Sequence, residues 1–313
     1  MKNKQAQREK PDLSVIIAGV KLRNPVIAAS GVFGYGREYD GLVDIANLGG
    51  ISTKGLTLHP RAGNSGMRIH ETPSGMMNSI GLENPGIATF IKDELPRLRI
   101  LGPAVIANLS GSTIQEYVKG ARLFNDSEVD MIELNISCPN VKAGGMAFGL
   151  VPKTAAQVTR QVRKVTNKPI MVKLSPNAPD LTAVALACIS SGADALSLVN
   201  TYKAIAIDIN KRKPVFDNIS AGLSGPAIRP IAIRMVWELC EILADKKYAV
   251  PVVGIGGIAS PADALEFMLA GAAAIQVGSG NFAHPPLMDE IINGIREYMK
   301  EKGFSKISQL SIR

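Results

Sequence analysis

The segment Met131-Ile132-Glu133-Leu134-Asn135-Ile136-Ser137-Cys138-Pro139-Asn140 contains the pattern on which the fold prediction depends. A short, mainly apolar run, Met131 to Leu134, is followed at once by polar residues and a proline, which is typical of a buried parallel strand that ends in a loop. Seven more such runs lie between residues 25 and 280, each followed by a polar or glycine-rich break and a helical pattern. They are Val26 to Ala29, Gly50 to Thr53, Ala104 to Ala107, Ile170 to Val172, Ala195 to Val199, Val252 to Ile255 and Ala274 to Val277.

Eight apolar runs that alternate with helical patterns predict an α/β protein, a (β/α)8 TIM barrel, because eight strands close a parallel barrel. An open doubly wound sheet has the same alternation and is the alternative. Leu13 to Ile17 and Val20 to Leu22 predict a small N-terminal hairpin across the bottom of the barrel. The predicted helices fall near 39–46, 86–98, 114–124, 154–165, 181–191, 228–243, 261–269 and 287–302.

Three connections are much longer than the others, at 55–84, 136–152 and 200–227, and all three are rich in Gly, Pro and Asn. Each follows a predicted strand, so in a barrel they lie on the C-terminal face, where barrel enzymes carry their active sites. Long structured loops inside a compact domain are usually functional. We therefore expect the functional site among these three loops.

The composition is that of a folded α/β protein, with 313 residues of which 46% are hydrophobic and 20% charged. One barrel of roughly 250 residues plus insertions fills this length. We predict a single domain over residues 13–313, preceded by a frayed basic N-terminus at residues 1–12. No apolar stretch reaches the ~18 residues that cross a bilayer, and no signal-peptide core is present, so we expect a cytoplasmic protein without a membrane contact.

The net charge of +8 comes from short basic runs without interleaved aromatics, which argues against nucleic-acid binding. Cys138, Cys188 and Cys240 form no CxxC pair, and the histidines lack ligand spacing, so we expect neither a metal nor a cluster on this chain. Cys188 and Cys240 fall in helical patterns, where a small buried hydrophobe is expected. Cys138 follows a strand end, where a thiol can act as nucleophile or general base, and its position alone does not decide between them.

The carboxyl ends of the predicted strands are rich in polar residues and glycine. In a barrel these ends face one crevice, and an unpaired polar group in a closed site costs about 1 to 3 kcal/mol, so such a set indicates function. Asparagine suits a ligand with alternating amide groups, lysine suits a carboxylate or developing anion, and glycine-rich ends of the last two strands suit a phosphate. The residues are Ser30, Lys54, Asn108, Asn135, Lys173, Asn200, Gly256 and Gly278, with Asn78 and Asn140 as further asparagines.

Seven motifs follow one another from Leu13 to the C-terminus: Ala29-Ser30-Gly31, Thr57 to Arg61, Asn78 to Gly86, Glu133 to Asn140, Val172 to Asn177, Asn200-Thr201 and Leu223 to Ile228. Together they resemble the dihydroorotate dehydrogenases, and within them the soluble class 1 type that works with NAD through a second subunit (class 1B). The resemblance implies an FMN-dependent oxidation of (S)-dihydroorotate to orotate in de novo pyrimidine (UMP) biosynthesis. Cys138 would be the general base at C5 while the C6 hydride passes to the flavin.

The resemblance also implies partners and site residues. A homodimer would form the core of a heterotetramer with a subunit that carries FAD and a 2Fe-2S cluster and passes electrons to NAD. Lys173 would lie at the flavin N1 and O2 edge, where a preplaced positive charge stabilises the reduced state. The residues that would hold FMN are Ser30, Lys54, Gly55, Asn108, Asn135, Lys173, Val199, Gly225, Gly256, Gly257, Gly278 and Ser279. Those that would bind orotate are Lys54, Asn78, Ser79, Ile80, Gly81, Leu82, Asn135, Asn140, Asn200 and Thr201.

Two other functions fit the sequence. Soluble relatives that use fumarate also carry the cysteine, so the same reaction could run without a partner subunit. A flavin-free, phosphate-binding aldolase or isomerase could use Lys173 as a Schiff-base nucleophile. The chain also departs from the family pattern at Tyr202-Lys203-Ala204-Ile205, where a smaller, glycine-containing stretch is expected, and at Ala221, which replaces a glycine. We expect Lys203 to point to solvent.

Overall fold

Eight parallel strands form a closed barrel in the structure, a computed structural model that describes residues 10–136 and 148–312. Each strand pairs with the next one along the chain, and the eighth pairs with the first. This closure confirms the predicted (β/α)8 barrel and excludes the open sheet. We label the strands β1 to β8, which are Val26–Ala28, Gly50–Ser52, Ala104–Leu109, Met131–Asn135, Ile170–Lys173, Ala195–Leu198, Val252–Ile255 and Ala274–Val277.

Helices follow the strands and bury one side against them. The predicted caps are present, because the Ser260 hydroxyl accepts from the Asp263 amide and the Asp180 carboxylate accepts from the Ala183 amide. Pro261 occupies the first helical position, where its missing N–H costs nothing. The main helices are Ile87–Thr89, Leu95–Leu101, Ile114–Asn125, Pro152–Arg163, Leu181–Ile189, Arg229–Asp245, Pro261–Leu269 and Leu287–Lys302.

Two helix predictions need correction. The helix predicted at 39–46 is wrong, since that segment contains only the 3-10 turns Arg37–Tyr39 and Ile45–Asn47. Asp40 is extended there and Gly41 has a φ of 78°, so the backbone cannot continue a helix. The helix predicted at 86–98 is present, but a π-helical segment, Phe90–Glu94, interrupts it just before Pro96, which has no N–H to donate.

The predicted hairpin closes the bottom of the barrel. Its strands, Val15–Ile17 and Val20–Leu22, pair antiparallel. Ile17 and Leu22 are buried and pack with residues from the amino ends of the barrel strands, among them Ile27 and Met171. The opposite, C-terminal end is thereby left as the open face of the barrel. The division of the chain into residues 1–12 and 13–313 stays a prediction, since residues 1–9 lie outside those described.

A four-stranded antiparallel sheet, which we call the cap sheet, joins two of the long loops on the C-terminal face. Its strands run in the order Tyr202–Ile205, Ser220–Ser224, Gly75–Asn78 and Ile69–Thr72. The two sequence departures are accommodated here. Tyr202 to Ile205 pairs in regular register with Ser220 to Leu223, Ala221 is buried in a cluster with Met77 and Phe216, and Lys203 is exposed.

Over residues 10–136 and 148–312, none of the helices combines the length and the apolar character that crossing a bilayer requires.

Candidate active site

One large cavity opens at the carboxyl ends of the barrel strands, under the cap sheet, and has a volume of about 840 Å³. This volume suits a small-molecule or cofactor site. Residues that end or follow the barrel strands form its floor and one wall, and cap-sheet residues such as Met76 and Gly222 contribute the other wall. The cavity therefore lies where the strand-end argument expects the functional site.

Most of the predicted site residues line this cavity. From the predicted flavin set these are Ser30, Lys54, Gly55, Asn135, Lys173, Val199, Gly256, Gly257, Gly278 and Ser279, and from the predicted orotate set also Asn78, Ser79, Ile80, Gly81, Leu82, Asn200 and Thr201. Asn108 is fully buried one layer deeper, and Gly225 lies behind Gly257. Cys138 and Asn140 lie outside the described residues.

The glycine-rich end of the cavity offers backbone amides. Gly257 has a φ of 72°, and a Cβ there would lie 2.7 Å from the Gly225 carbonyl oxygen, so only glycine fits. Among the described residues, no backbone or side-chain acceptor takes a hydrogen bond from the amides of Gly256, Gly257, Gly278 or Ser279. Gly256 is buried and the other three residues are partly buried, and several backbone amides gathered at one point make an anion site. This end therefore fits the phosphate of a cofactor.

A chain of asparagine amides runs from the layer below the cavity, at Asn108, to the cavity lining, at Asn135 and Asn200. The Asn135 side-chain nitrogen donates to the Asn108 side-chain oxygen at 3.4 Å, and the Asn200 nitrogen donates to the Asn135 oxygen at 3.3 Å. The Asn200 oxygen in turn accepts from the Thr201 backbone amide at 2.8 Å. We call Asn108, Asn135 and Asn200 the amide chain. Primary amides of this kind match a ligand that carries N–H and C=O groups side by side.

Another part of the cavity wall is polar and held by ion pairs. Lys54 lies 3.6 Å from the Glu83 carboxylate, which also binds Arg68 at 3.0 Å. Asn64 donates to the Ser79 carbonyl at 3.0 Å and so fixes the loop that follows the cap-sheet strand. An exposed pair of this kind contributes little to stability. Its effect here is to keep Lys54 at the cavity wall, where an anionic ligand group would meet it.

Several cavity residues were not predicted as site residues. Most of them come from irregular loop segments, where no periodicity marks a side chain as pointing inward, whereas Ser220 begins a cap-sheet strand and Phe282 lies in the short helix Gly280–Ala283. Arg61 belongs to a quoted motif, but its side chain was given no role, although it donates to Ser112 at 2.6 Å. The others include Asn64, Asn177, Asn218, Ser220 and Phe282.

Beneath the floor, Glu133 is fully buried on β4 and accepts four hydrogen bonds at 2.6 to 2.8 Å. Burial alone would raise the pKa of this carboxyl, but the Lys173 ammonium at 3.9 Å and the hydrogen bonds outweigh it and lower the pKa. Glu133 is thus a carboxylate inside the barrel. A signal for it existed in the sequence, because it is the only charged residue of an otherwise apolar run, Met131 to Leu134.

The described residues show how their titratable side chains are placed. Outside 1–9, 137–147 and 313, no group of His, Cys, Asp and Glu could hold a metal. Burial raises the pKa of the Cys188 thiol to about 11, as fits a packing residue. Lys173 lies 3.9 Å from the buried Glu133 carboxylate and forms an ion pair with it.

The sequence of this chain is similar to those of known proteins from one family. Residues 12–299 match the family model described as dihydroorotate dehydrogenase. The chain is 55% identical over 299 residues to "Dihydroorotate dehydrogenase B (NAD(+)), catalytic subunit" of Petrotoga mobilis, covering 96% of this chain and 98% of that protein. Proteins of the same name from Geotalea daltonii and Caldicellulosiruptor bescii are 53% and 51% identical, with 96% of this chain and 97% and 98% of those proteins covered.

Proposed function

Because the chain belongs to the dihydroorotate dehydrogenase family, we propose that it is the catalytic subunit of an NAD-linked dihydroorotate dehydrogenase. It oxidises (S)-dihydroorotate to orotate in pyrimidine biosynthesis. The observation that carries this proposal is the composition of one cavity, in which the amide chain and two lysines lie at one side and bare glycine amides at the other. A ring with alternating amides and a carboxylate matches the first side, and a cofactor phosphate matches the second.

Members of this family depend on a flavin, and we propose FMN for this chain. The amides of Gly256, Gly257, Gly278 and Ser279 would hold its phosphate, and Asn135 and Lys173 would lie along its ring. FMN, when bound, supplies the acceptor for the hydride that leaves C6 of the substrate. A fixed lysine ammonium next to the ring favours the extra negative charge of the reduced state without reorganisation.

The side chains of this subunit bind, orient and deprotonate the substrate. Lys54 provides a positive charge for the carboxylate, and Asn135 and Asn200 provide amide donors and acceptors for the ring. We propose Cys138 as the general base that removes the C5 proton. Asn140 would complete the substrate set, as the resemblance implies. A cysteine is a suitable base because the ordinary pKa of a thiol lies near the pH at which the enzyme works.

The electrons then leave through a second protein. The described residues contain no ligand set for a cluster, and the names of the relatives, which call them catalytic subunits, imply a partner. We propose a partner subunit with FAD and a 2Fe-2S cluster that reduces NAD, bound to a homodimer of this chain. A cytoplasmic location stays a prediction.

The purified chain is expected to be yellow and to bleach when dihydroorotate is added without oxygen, because flavin reduction removes the visible absorbance. Anaerobic titration followed by absorption spectroscopy measures this, and malate, a dicarboxylate without ring amides, serves as the control. Colourless protein that binds a sugar phosphate and forms a borohydride-trapped adduct at Lys173 would instead favour the aldolase.

Co-purification tests the electron acceptor. When this chain is expressed with the proteins of its own cell, a stoichiometric partner containing FAD and an iron–sulfur cluster is expected, and the complex reduces NAD with dihydroorotate. The chain alone should not reduce NAD. If instead the isolated chain is rapidly reoxidised by fumarate and no partner is retained, the acceptor assignment is wrong while dihydroorotate oxidation stands.

A further inference from the structure

A layer of polar side chains lies inside the barrel, directly under the cavity floor. It is centred on Glu133, and its members come from six of the eight barrel strands. All are buried. The layer consists of Ser52, Asn108, Glu133, Lys173, Ser197 and Gln276.

Both carboxylate oxygens of Glu133 are fully engaged. Oε2 accepts from the Ser52 hydroxyl at 2.7 Å and from the Asn108 amide nitrogen at 2.6 Å. Oε1 accepts from the Ser197 hydroxyl at 2.8 Å and from the Gln276 amide nitrogen at 2.7 Å. Four donors match the roughly four lone-pair sites of a carboxylate. Glu133 is therefore an acceptor on every side and donates to none of these neighbours.

Because Glu133 only accepts hydrogen bonds, it constrains Asn108, which connects it to the cavity. Because Glu133 accepts, the Asn108 amide must turn its nitrogen down, and its oxygen then faces Asn135 and accepts from the Asn135 nitrogen. The Asn135 oxygen consequently faces Asn200 and accepts from the Asn200 nitrogen. Each link fixes the next, since an amide that donates at one end accepts at the other.

We propose that Glu133 is a positioning residue that fixes the direction of the amide chain from its Asn108 end, as the Thr201 backbone amide does from its Asn200 end, and thereby decides which atoms of Asn135 and Asn200 meet the substrate ring. This inference rests on the proposed function. If Asn108 turned over, the nitrogen and oxygen of Asn135 would exchange places, while the Thr201 amide would still hold the Asn200 oxygen. A ring with N–H and C=O groups would then meet a donor where it needs an acceptor, and such a mismatch of buried groups is what sites use to reject a ligand.

Stability alone does not explain this arrangement. Buried ionic groups can often be replaced by apolar residues of similar size without loss of stability. Further from the cavity, near the hairpin that closes the bottom of the barrel, the interior is filled by apolar residues such as Ile27, Met171 and Val253. The Glu133 carboxylate is instead connected to the residues that line the site by a series of hydrogen bonds of 2.6 to 3.4 Å.

The test compares two neutral replacements, Glu133→Leu and Glu133→Gln, in the flavin-loaded protein. Both remove the charge next to Lys173, so their difference isolates the acceptor. Glutamine keeps a carbonyl oxygen for Asn108, and its new amide can donate to Gln276, whose side-chain oxygen is buried without a partner among the described residues. Leucine keeps neither. Ser197→Ala, which removes one bond to the other oxygen of Glu133, is the matched control.

Orotate binding to the oxidised flavoprotein is measured by calorimetry, and unfolding midpoints are recorded in parallel. Glu133→Leu is expected to weaken orotate binding by about 10-fold to 100-fold, the cost of one mismatched buried group. Glu133→Gln should restore most of this loss, and Ser197→Ala should stay within about twofold of the unaltered protein. A merely structural role would lower the unfolding midpoint and leave the orotate dissociation constant unchanged. Equal orotate affinities of the leucine and glutamine variants would overturn the proposal.

If Glu133→Leu does not load flavin, the same comparison is made in the Lys173→Met background, where no buried charge is left unpaired. The leucine variant should again bind orotate at least about tenfold more weakly than the glutamine variant, and equal affinities overturn the proposal. The unaltered protein separates this result from the proposed function. Failure of the unaltered flavoprotein to bind orotate contradicts the function itself, whereas normal binding by both variants contradicts only the role of Glu133.

Discussion

Replacing Cys138 by alanine is expected to leave flavin bound but to slow flavin reduction by dihydroorotate by about 10² to 10⁴, the range for loss of a general base. Apart from Asn135, the residues proposed to hold the flavin lie on other segments, from Ser30 to Ser279, so its binding should persist. Anaerobic stopped-flow absorption measures the reduction rate at saturating dihydroorotate, and the flavin content of the same sample is measured after denaturation.

Two further variants sharpen this prediction. Cys188→Ala removes a thiol that is buried in a helix, with its pKa raised to about 11, and should not change the rate. Cys138→Ser keeps a weaker acid in place, so its activity should appear mainly at higher pH, where more of the base form exists. Near-normal reduction by Cys138→Ala at neutral pH would remove Cys138 from the proposed role and point to another base.

The barrel could be predicted because its signal is local. Each strand is a short apolar run, and parallel strands covered on both faces need no alternation of polar and apolar residues. The helix predicted at 39–46 failed for an equally local reason, because the apolar spacing there is helical while Gly41 adopts a positive φ that ends any helix. Periodicity describes which side chains are apolar, and it does not reveal the backbone conformation of a single glycine.

The cap sheet could not be predicted because its pairing is not local. Gly75–Asn78 pairs with Ser220–Ser224, and these strands lie in two different long loops that are far apart in the sequence. Each strand alone is short and only partly buried, so its sequence pattern is weak. The pairing becomes favourable only after the barrel has brought the two loops to the same face.

The candidate site was predicted where barrel topology alone brings residues together. Strand-end positions such as Lys54, Asn135 and Gly256 line one cavity because all parallel strands point their carboxyl ends the same way. Glu133 was missed because its importance depends on partners from five other strands, which no sequence spacing connects. A single acidic residue in a buried apolar run indicates polar partners on neighbouring strands.

Replacing Lys173 by methionine is expected to lower the free energy of unfolding by about 3 to 5 kcal/mol, because it leaves the Glu133 carboxylate without its counter-ion in the barrel interior. The Glu133 side chain is 0% exposed and that of Lys173 only 7%, so water cannot replace the lost charge. Urea unfolding at a fixed excess of FMN, followed by tryptophan fluorescence, gives the change. Arg234→Met, which breaks the exposed pair with Glu238 at 2.7 Å, should change the free energy by less than about 1 kcal/mol.

The double variant Glu133→Leu/Lys173→Met decides whether the loss comes from the ion pair. With both charges gone, most of the stability lost in Lys173→Met should return. Burying two apolar side chains of similar volume costs less free energy than burying one unpaired charge. The coupling free energy from the double-mutant cycle is expected to exceed about 2 kcal/mol, near the upper end of the range for residues in contact. Additive effects of the two replacements would mean that Glu133 is stabilised by its four hydrogen bonds alone, and that Lys173 is held at the cavity floor by something other than this carboxylate.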